Sequence, residues 1–312
     1  MTEADLIYKI ASQYYEDNQT QQEIANRLGI SRIKASRLLQ QARTSGIVEI
    51  SLKKQSGNFS DLENRIASEW KLKEVILSSS KSLDNEEILS QIGKAASEYA
   101  QRVIKGNETI SLTWGSTLSA FLQNLPGMDF PKLKIVQMLG GLGSPEAAAH
   151  SSDLVRRFSD KTGGIGRFLS APGVVTSLAV KKGLLKDPHI SETLELAGHA
   201  DLTFVGIGAP ASDSMLMSRG TIISQQVLDE LKTAGAVGDI SLRFFDEQGR
   251  FIRHPINDRV IGLEVNNIRK IPRVVALAGG SEKTQAVRGA LKSGLIDVLI
   301  TDEKTGKKLL QE

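Results

Sequence analysis

The 312-residue sequence contains no cysteine, which excludes disulfides, thiolate metal sites and a cysteine nucleophile. Histidine is sparse, and His150, His189, His199 and His254 stand too far apart for a local metal motif such as two histidines one helical turn apart. No metal and no cofactor is expected. No apolar run reaches the ~20 residues that cross a bilayer, and the opening MTEADLIYKIASQYY lacks a basic segment followed by an apolar one. The expectation is a cytoplasmic protein without a membrane partner. What remains, 40% hydrophobic and 24% charged residues, is the composition of an ordinary globular chain long enough for two domains.

Net charge is small as well, +3 over the whole chain, yet it is unevenly placed. Between Thr20 and Lys54 seven cations face two carboxylates, a local +5. This stretch, TQQEIANRLGISRIKASRLLQQARTSGIVEI as far as Ile50, has the punctuation of two helices and a turn. Thr20 and Glu23 fit a capping box. Ile24, Ala25 and Leu28 give an apolar stripe, and Gly29 falls where a left-handed C-cap belongs. Ser31 can cap a second helix whose inward face is Ala35, Leu38, Leu39 and Ala42. Arg32, Lys34, Ser36 and Arg37 are then left on the outside of its first turns. In a helix-turn-helix those positions meet base edges, and positive charge is concentrated where phosphates would lie. Thr20, Gln21, Gln22 and Ser31, at the two helix starts, complete the set of expected DNA contacts. The bland alternative is a helical hairpin with a solvated charged face.

Residues 4–17 predict a preceding helix with Leu6, Ile7, Ile10, Ala11 and Tyr14 on one face. After Gly46 the alternation Val48-Glu49-Ile50-Ser51-Leu52 predicts a strand, a wing. From Asn58 to Leu72, Phe59, Leu62, Ile66 and Trp70 form a helical stripe that needs a partner, either its own domain or, the preferred reading, another subunit. From about residue 73 the texture changes. Short β-rich runs (Glu74–Leu77, Thr109–Thr113, Lys134–Leu139, Leu202–Ile207, Val274–Ala278, Ile296–Thr301) alternate with amphipathic stretches at 85–104, 150–162, 175–185, 223–233 and 282–293. This predicts a doubly wound α/β sheet, interrupted by an antiparallel hairpin over Ile240–Ile252, turning at Glu247-Gln248-Gly249 and inserted near the sheet edge.

Ligands of such sheets bind beyond the carboxyl ends of the strands. Thr113-Trp114-Gly115-Ser116-Thr117 ends one strand and offers amides and hydroxyls to an anion at a helix N-terminus, unless Ser116 or Thr117 merely caps that helix. Gly140-Gly141-Leu142-Gly143, Gly206-Ile207-Gly208-Ala209 and Ala278-Gly279-Gly280 follow other strands, and their repetition points to one crevice. Lys283, in the first turn of a predicted helix, is a cation against the dipole, either relieved by an anionic ligand or simply solvated. Asp239 can accept hydrogen bonds from sugar hydroxyls or cap a turn.

Taken together, Tyr14-Tyr15, the 20–50 stretch, Thr113-Trp114-Gly115, Leu202–Ala209 (LTFVGIGA), Gly235–Ile240 (GAVGDI), Arg243-Phe244-Phe245-Asp246, Ala278-Gly279-Gly280 with Lys283, and Ile300-Thr301-Asp302 resemble the SorC-type bacterial transcriptional regulators nearly end to end. The resemblance implies a winged helix-turn-helix (1–55), a linker or oligomerisation helix (56–72) and a Rossmann-like effector domain (73–312) similar to sugar-phosphate isomerases, assembled as a homodimer or homotetramer. It places a phosphate loop on Trp114, Gly115, Ser116 and Thr117, a phosphate-contacting lysine on Lys283, a sugar-contacting acid on Asp239 and a further polar contact on His150; the loop Ser212–Gly220 is similarly placed but matches poorly. The implied function is regulation of a carbohydrate operon, with double-stranded operator DNA and a phosphorylated sugar as partners. The alternative is an isomerase or deaminase-like enzyme fused to a DNA-binding domain. Asp239 has no acid–base partner nearby in sequence, so no catalytic residue is assigned.

Overall fold

The computed structural model describes residues 2–50, 59–79, 84–141, 145–210 and 223–311, with the backbone alone for 145–151. The chain divides into two compact units, Met1–Asn58 and Phe59–Glu312.

The first unit is a three-helix assembly: α1 (Glu3–Tyr15), α2 (Gln21–Leu28) and α3 (Arg32–Thr44). The Thr20–Glu23 capping box forms in both directions, with the Thr20 N–H donating to the Glu23 carboxylate at 2.7 Å and the Glu23 N–H donating to the Thr20 hydroxyl at 3.3 Å. Gly29 ends α2 at φ 64°, a left-handed conformation that costs glycine nothing. Ser31 accepts from the Lys34 N–H at 3.1 Å and starts α3 at the next residue. Ile7, Ile10 and Ala11 of α1, Ile24 of α2, and Leu38, Leu39 and Ala42 of α3 form one sealed core. The Arg43 Nε donates to the Tyr15 hydroxyl at 2.6 Å, tying the end of α3 to the end of α1. Among the described residues Val48, Glu49 and Ile50 carry no strand pairing, and Ser51 and Leu52 of the expected wing lie outside them.

The second unit opens with α4 (Ser60–Trp70). Its stripe does not await another subunit. Ile66 is sealed into the core beside Val75, Leu77 and Leu309 of the same domain, with Phe59, Leu62 and Trp70 packed around it. The reason is proximity: the next strand begins four residues after α4 and brings its own apolar face back under the helix.

The strands are β1 (Glu74–Ser78), β2 (Thr109–Leu112), β3 (Lys134–Gln137), β4 (Ile165–Arg167), β5 (Leu202–Gly206), β6 (Gly238–Ile240), β7 (Arg243–Phe245), β8 (Val274–Leu277) and β9 (Val298–Asp302). Seven of them make a parallel sheet in the order β1-β9-β8-β5-β2-β3-β4. β8 and β9 are buried along their whole length, as parallel strands covered on both faces must be. Their alternate residues point to opposite cores: Val275, Leu277, Val298 and Ile300 join one, Val274, Ala276 and Leu299 the other.

The remaining helices are α5 (Asn85–Val103), α6 (Ser116–Asn124), α7 (Pro145–Thr162), α8 (Leu178–Leu184), α9 (Pro188–Gly198), α10 (Gln225–Thr233), α11 (Val265–Ile268), α12 (Thr284–Lys292) and α13 (Glu303–Leu309). α5, α6 and α7 supply Ile92, Phe121 and Phe158 to one core; α4, α9 and α12 supply Ile66, Ala197 and Val287 to the other. The arrangement is a mixed α/β domain on a central parallel sheet.

The hairpin differs from expectation in two ways. It is a separate two-stranded sheet of β6 and β7, not an insertion into the main one, and its tight turn is Ser241–Leu242. Both residues have positive φ, 55° and 60°, the conformation that a two-residue turn between right-twisted strands demands and that side chains resist. The bend around Glu247–Gly249 also exists, where Phe245 pairs antiparallel with Phe251.

Candidate functional site

Chain order along the sheet reverses between β2 and β5: from β2 the sequence proceeds outward through β3 and β4, while β5 leads the other way to β8 and β9. The loops leaving β2 and β5 must therefore diverge, and a crevice opens between them at the carboxyl ends of the strands. A cavity of about 230 Å³ occupies that place, lined by Trp114 to Thr117 after β2, Gly206 to Ala209 after β5, and Asp239, Ser241, Glu282 and Lys283.

Gly115 is the N-cap of α6 and no side chain caps that helix. Thr117 is turned inward, its hydroxyl donating to the Leu277 carbonyl at 3.0 Å, so it locks α6 to β8. The capping alternative for Ser116 and Thr117 is not what forms, and α6 starts without a side-chain acceptor for its first amides, at residues that line the cavity. Trp114 is held by its indole N–H, which donates to the Gly140 carbonyl at 3.1 Å.

Asp239 sits on β6, only 7% exposed. Its Oδ2 accepts from the Leu242 N–H at 3.0 Å, so the carboxylate holds the strained turn in place. Backbone bridges in both directions tie Asp239 to Gly208, at 2.9 and 3.1 Å. A Cβ on Gly208 would stand 2.0 Å from Asp239 Oδ1, so any side chain there would displace the Asp239 carboxylate. Burial pushes the Asp239 carboxyl up to about 6, against the opposing pulls of the Leu242 N–H and of Lys283. Burial likewise draws the Lys283 ammonium below the ordinary lysine range, opposed by Glu282 and Asp239. Lys283 ends a short 3₁₀ turn, Ser281–Lys283, directly before α12. A buried carboxylate and a half-buried ammonium thus share one cavity without a direct ion pair between them among the described residues.

The cavity collects six of the seven expected effector residues: Trp114, Gly115, Ser116, Thr117, Asp239 and Lys283. The seventh, His150, lies in α7, where only the backbone is described. The Ser212–Gly220 loop, and Leu142 and Gly143 of the second glycine-rich strand end, lie outside the described residues. Ser241 and Glu282 were not anticipated. The Ser241 hydroxyl is buried and has no partner among the described residues. Nothing in the local sequence marks it, because its role follows from a turn made without glycine. Glu282 was legible as the neighbour of Lys283. An uncapped helix start and a lysine suit an anion, and a carboxylate with a free hydroxyl beside them suits hydroxyl groups.

In the first unit Arg32, Lys34, Ser36 and Arg37 are all exposed on α3. Thr20 and Ser31 use their hydroxyls as helix caps. Gln22 bonds Asn26 at 2.9 Å, and Gln21 is half-buried. Ile33 and Gln40, also exposed, complete the outer row of α3. The preference for charged and small polar residues at the helix start had passed them over. Periodicity opposite the buried stripe would have found both. Among the described residues no helix is long and apolar enough to cross a membrane, and no group of three His, Asp or Glu side chains is placed to hold a metal.

Residues 54–311 match a family model described as "Putative sugar-binding domain". The deoxyribonucleoside regulator of Bacillus subtilis is 29% identical over 98% of this chain and 97% of its own. The erythritol catabolism regulatory protein EryD of Brucella abortus is 31% identical over 99% and 98%. The solved full-length sorbitol operon regulator SorC of Klebsiella pneumoniae superposes with a TM-score of 0.75 at 26% identity, covering 98% of this chain and 99% of that one. A cavity at the sheet's switch point that gathers the expected glycine, lysine and aspartate positions, in a chain similar to such regulators from end to end, has one assignment: it belongs to the SorC-type family of sugar-binding transcriptional regulators.

Proposed function

We propose that the protein binds double-stranded operator DNA of a carbohydrate-utilisation operon through α2 and α3, and that a phosphorylated sugar in the second unit controls that affinity. The observation that carries the reading is the meeting of Lys283, the uncapped start of α6 and the buried Asp239 in one cavity. The phosphate lies on the amides of Gly115 to Thr117 with Lys283 as counter-charge. Asp239 and the Ser241 hydroxyl take the sugar hydroxyls, and His150 of α7 is the further polar contact that the family resemblance implies. Arg32, Lys34, Ser36 and Arg37 reach the major groove, while Thr20, Gln21, Gln22 and Ser31 lie at helix starts where amides meet phosphates. Relatives named as operon regulators support the DNA-reading role. Residues 1–55 act as the DNA-binding domain and 73–312 as the effector domain, in a homodimer or homotetramer that supplies two half-sites.

A panel of phosphorylated and unphosphorylated sugars in a thermal-shift assay tests the effector. Mass action predicts a rise for one phosphorylated sugar, about 2.7 kcal/mol at a hundredfold excess over Kd, and no rise for its unphosphorylated form. Equal shifts for both would remove the phosphate from the account.

A catalytic reading has one observation in its favour: Asp239, with a pKa of about 6, and Glu282 line the same cavity, and isomerases need a positioned acid–base pair. Turnover of the sugar phosphate that shifts the melting temperature, followed by NMR, decides it; the regulatory reading predicts none.

A further inference from the structure

The outward face of α3 carries a side chain that does not suit a purely electrostatic surface. Ile33 is 83% exposed, the most exposed large apolar side chain among the described residues. A single exposed isoleucine is ordinary on a protein surface, so its position must carry the argument. It is the second residue of α3, between Arg32 and Lys34. At about 100° per residue it lies opposite Ala35, Leu38, Leu39 and Ala42, the stripe buried against α1 and α2. Arg37 and Gln40 follow it at spacings of four and three and are exposed as well, so the three form one row along the crest of the helix. A β-branched residue also lowers helix propensity relative to the lysine or glutamine that would solvate the same site.

Cations on both sides select a polyanion as the surface that Ile33 meets. Cations give that surface affinity but carry little sequence information when they bind phosphates. The one apolar group that a base edge presents in the major groove is the C5-methyl of thymine. Resting on the DNA-binding reading above, we propose that Ile33 packs on a thymine methyl and sets a base preference in each half-site that Arg32, Lys34 and Arg37 do not set. Arg37 and Gln40 flank it for hydrogen bonds to neighbouring bases.

The test uses the full chain and a duplex selected by it from a randomised pool. Each thymine is replaced in turn by deoxyuridine, which removes the methyl group and leaves the hydrogen-bonding edge intact. Binding is measured by fluorescence anisotropy at one fixed salt concentration. The wild type should lose about fourfold in affinity at one thymine per half-site, the worth of roughly one buried methyl group. Ile33→Ala should bind the thymine and deoxyuridine duplexes equally, and Ile33→Val should keep part of the discrimination. Two results overturn the proposal: no thymine whose methyl matters to the wild type, or a deoxyuridine penalty that persists undiminished in Ile33→Ala. If no duplex is enriched at all, the DNA-binding reading has failed first, and the role of Ile33 goes with it.

Discussion

The two units treat charge in opposite ways. On α3 the cations stand in water and the polar groups that shape the helices are satisfied within three residues of themselves, by Thr20 with Glu23 and by Ser31 with Lys34. In the cavity Asp239 is buried and Lys283 half-buried, and both depart from their ordinary titration because burial disfavours their charged forms. The first arrangement costs little and is screened by salt. The second is a standing desolvation penalty, which the proposed ligand would offset. A surface built to meet a polymer can leave its charges solvated until contact; a receptor for a small molecule must hold its charges pre-aimed and dry.

The largest test of that contrast is Asp239→Asn. A carboxyl raised from 3.8 to about 6 contributes its stability fully below the unfolded value and loses it as pH rises through about 6. Above pH 7 the wild type therefore bears a penalty of about 3 kcal/mol, with the opposing pull of Lys283 already included. Asparagine can still accept from the Leu242 N–H, so the variant should melt higher than wild type at pH 8, with the difference vanishing toward pH 4. A difference that grows on acidification would reverse the assignment. Next in size, Lys283→Ala should abolish the stabilisation by sugar phosphate, about 2.7 kcal/mol at a hundredfold excess over Kd, while the unliganded protein binds DNA as before. Titration calorimetry with the sugar phosphate reads the loss.

Arg37→Ala is the mirror experiment. It should weaken DNA binding about tenfold, or about 1.4 kcal/mol, and leave the sugar-phosphate melting shift intact. If Arg37 contacts a phosphate the salt slope falls by about 0.9; if it contacts a base the slope holds and sequence preference relaxes. Smallest is Thr20→Ala, which removes one half of a capping box and should lower the stability of the first unit by about 1 kcal/mol, read by circular dichroism, without altering sugar-phosphate affinity.

The same contrast decides what a reader of the sequence could see. The first unit was legible because its determinants are local. A capping box, a left-handed glycine and a stripe at three and four residues are each complete within one turn of helix. The exceptions are Ile33 and Gln40, which are outward by periodicity but do not look functional by residue type. In the second unit the long β-rich runs were plain, since parallel strands buried on both faces must be apolar throughout. β4 escaped notice: Ile165–Arg167 is three residues beside glycine and has no alternation to detect. α9, from Pro188 to Gly198, was also missed, although Asp187 caps it and proline opens it. The stripe on α4 showed that a partner was needed but not which one, because packing against β1 depends on where the sheet edge falls. Ser241 was invisible for a similar reason. Its left-handed turn lacks the Asn-Gly or Gly-X signature, and the turn is held by Asp239 across the hairpin instead.

On the proposed function, the cavity that holds Asp239 and Lys283 governs the solvated face of α3. The direct measurement is the DNA affinity of the wild type and of Lys283→Ala, by anisotropy, with and without the sugar phosphate that raises the melting temperature. The wild type should shift by at least about fivefold, as a coupling of about 1 kcal/mol or more requires, and the variant not at all. A sugar phosphate that binds the wild type tightly and leaves its DNA affinity unchanged would contradict it.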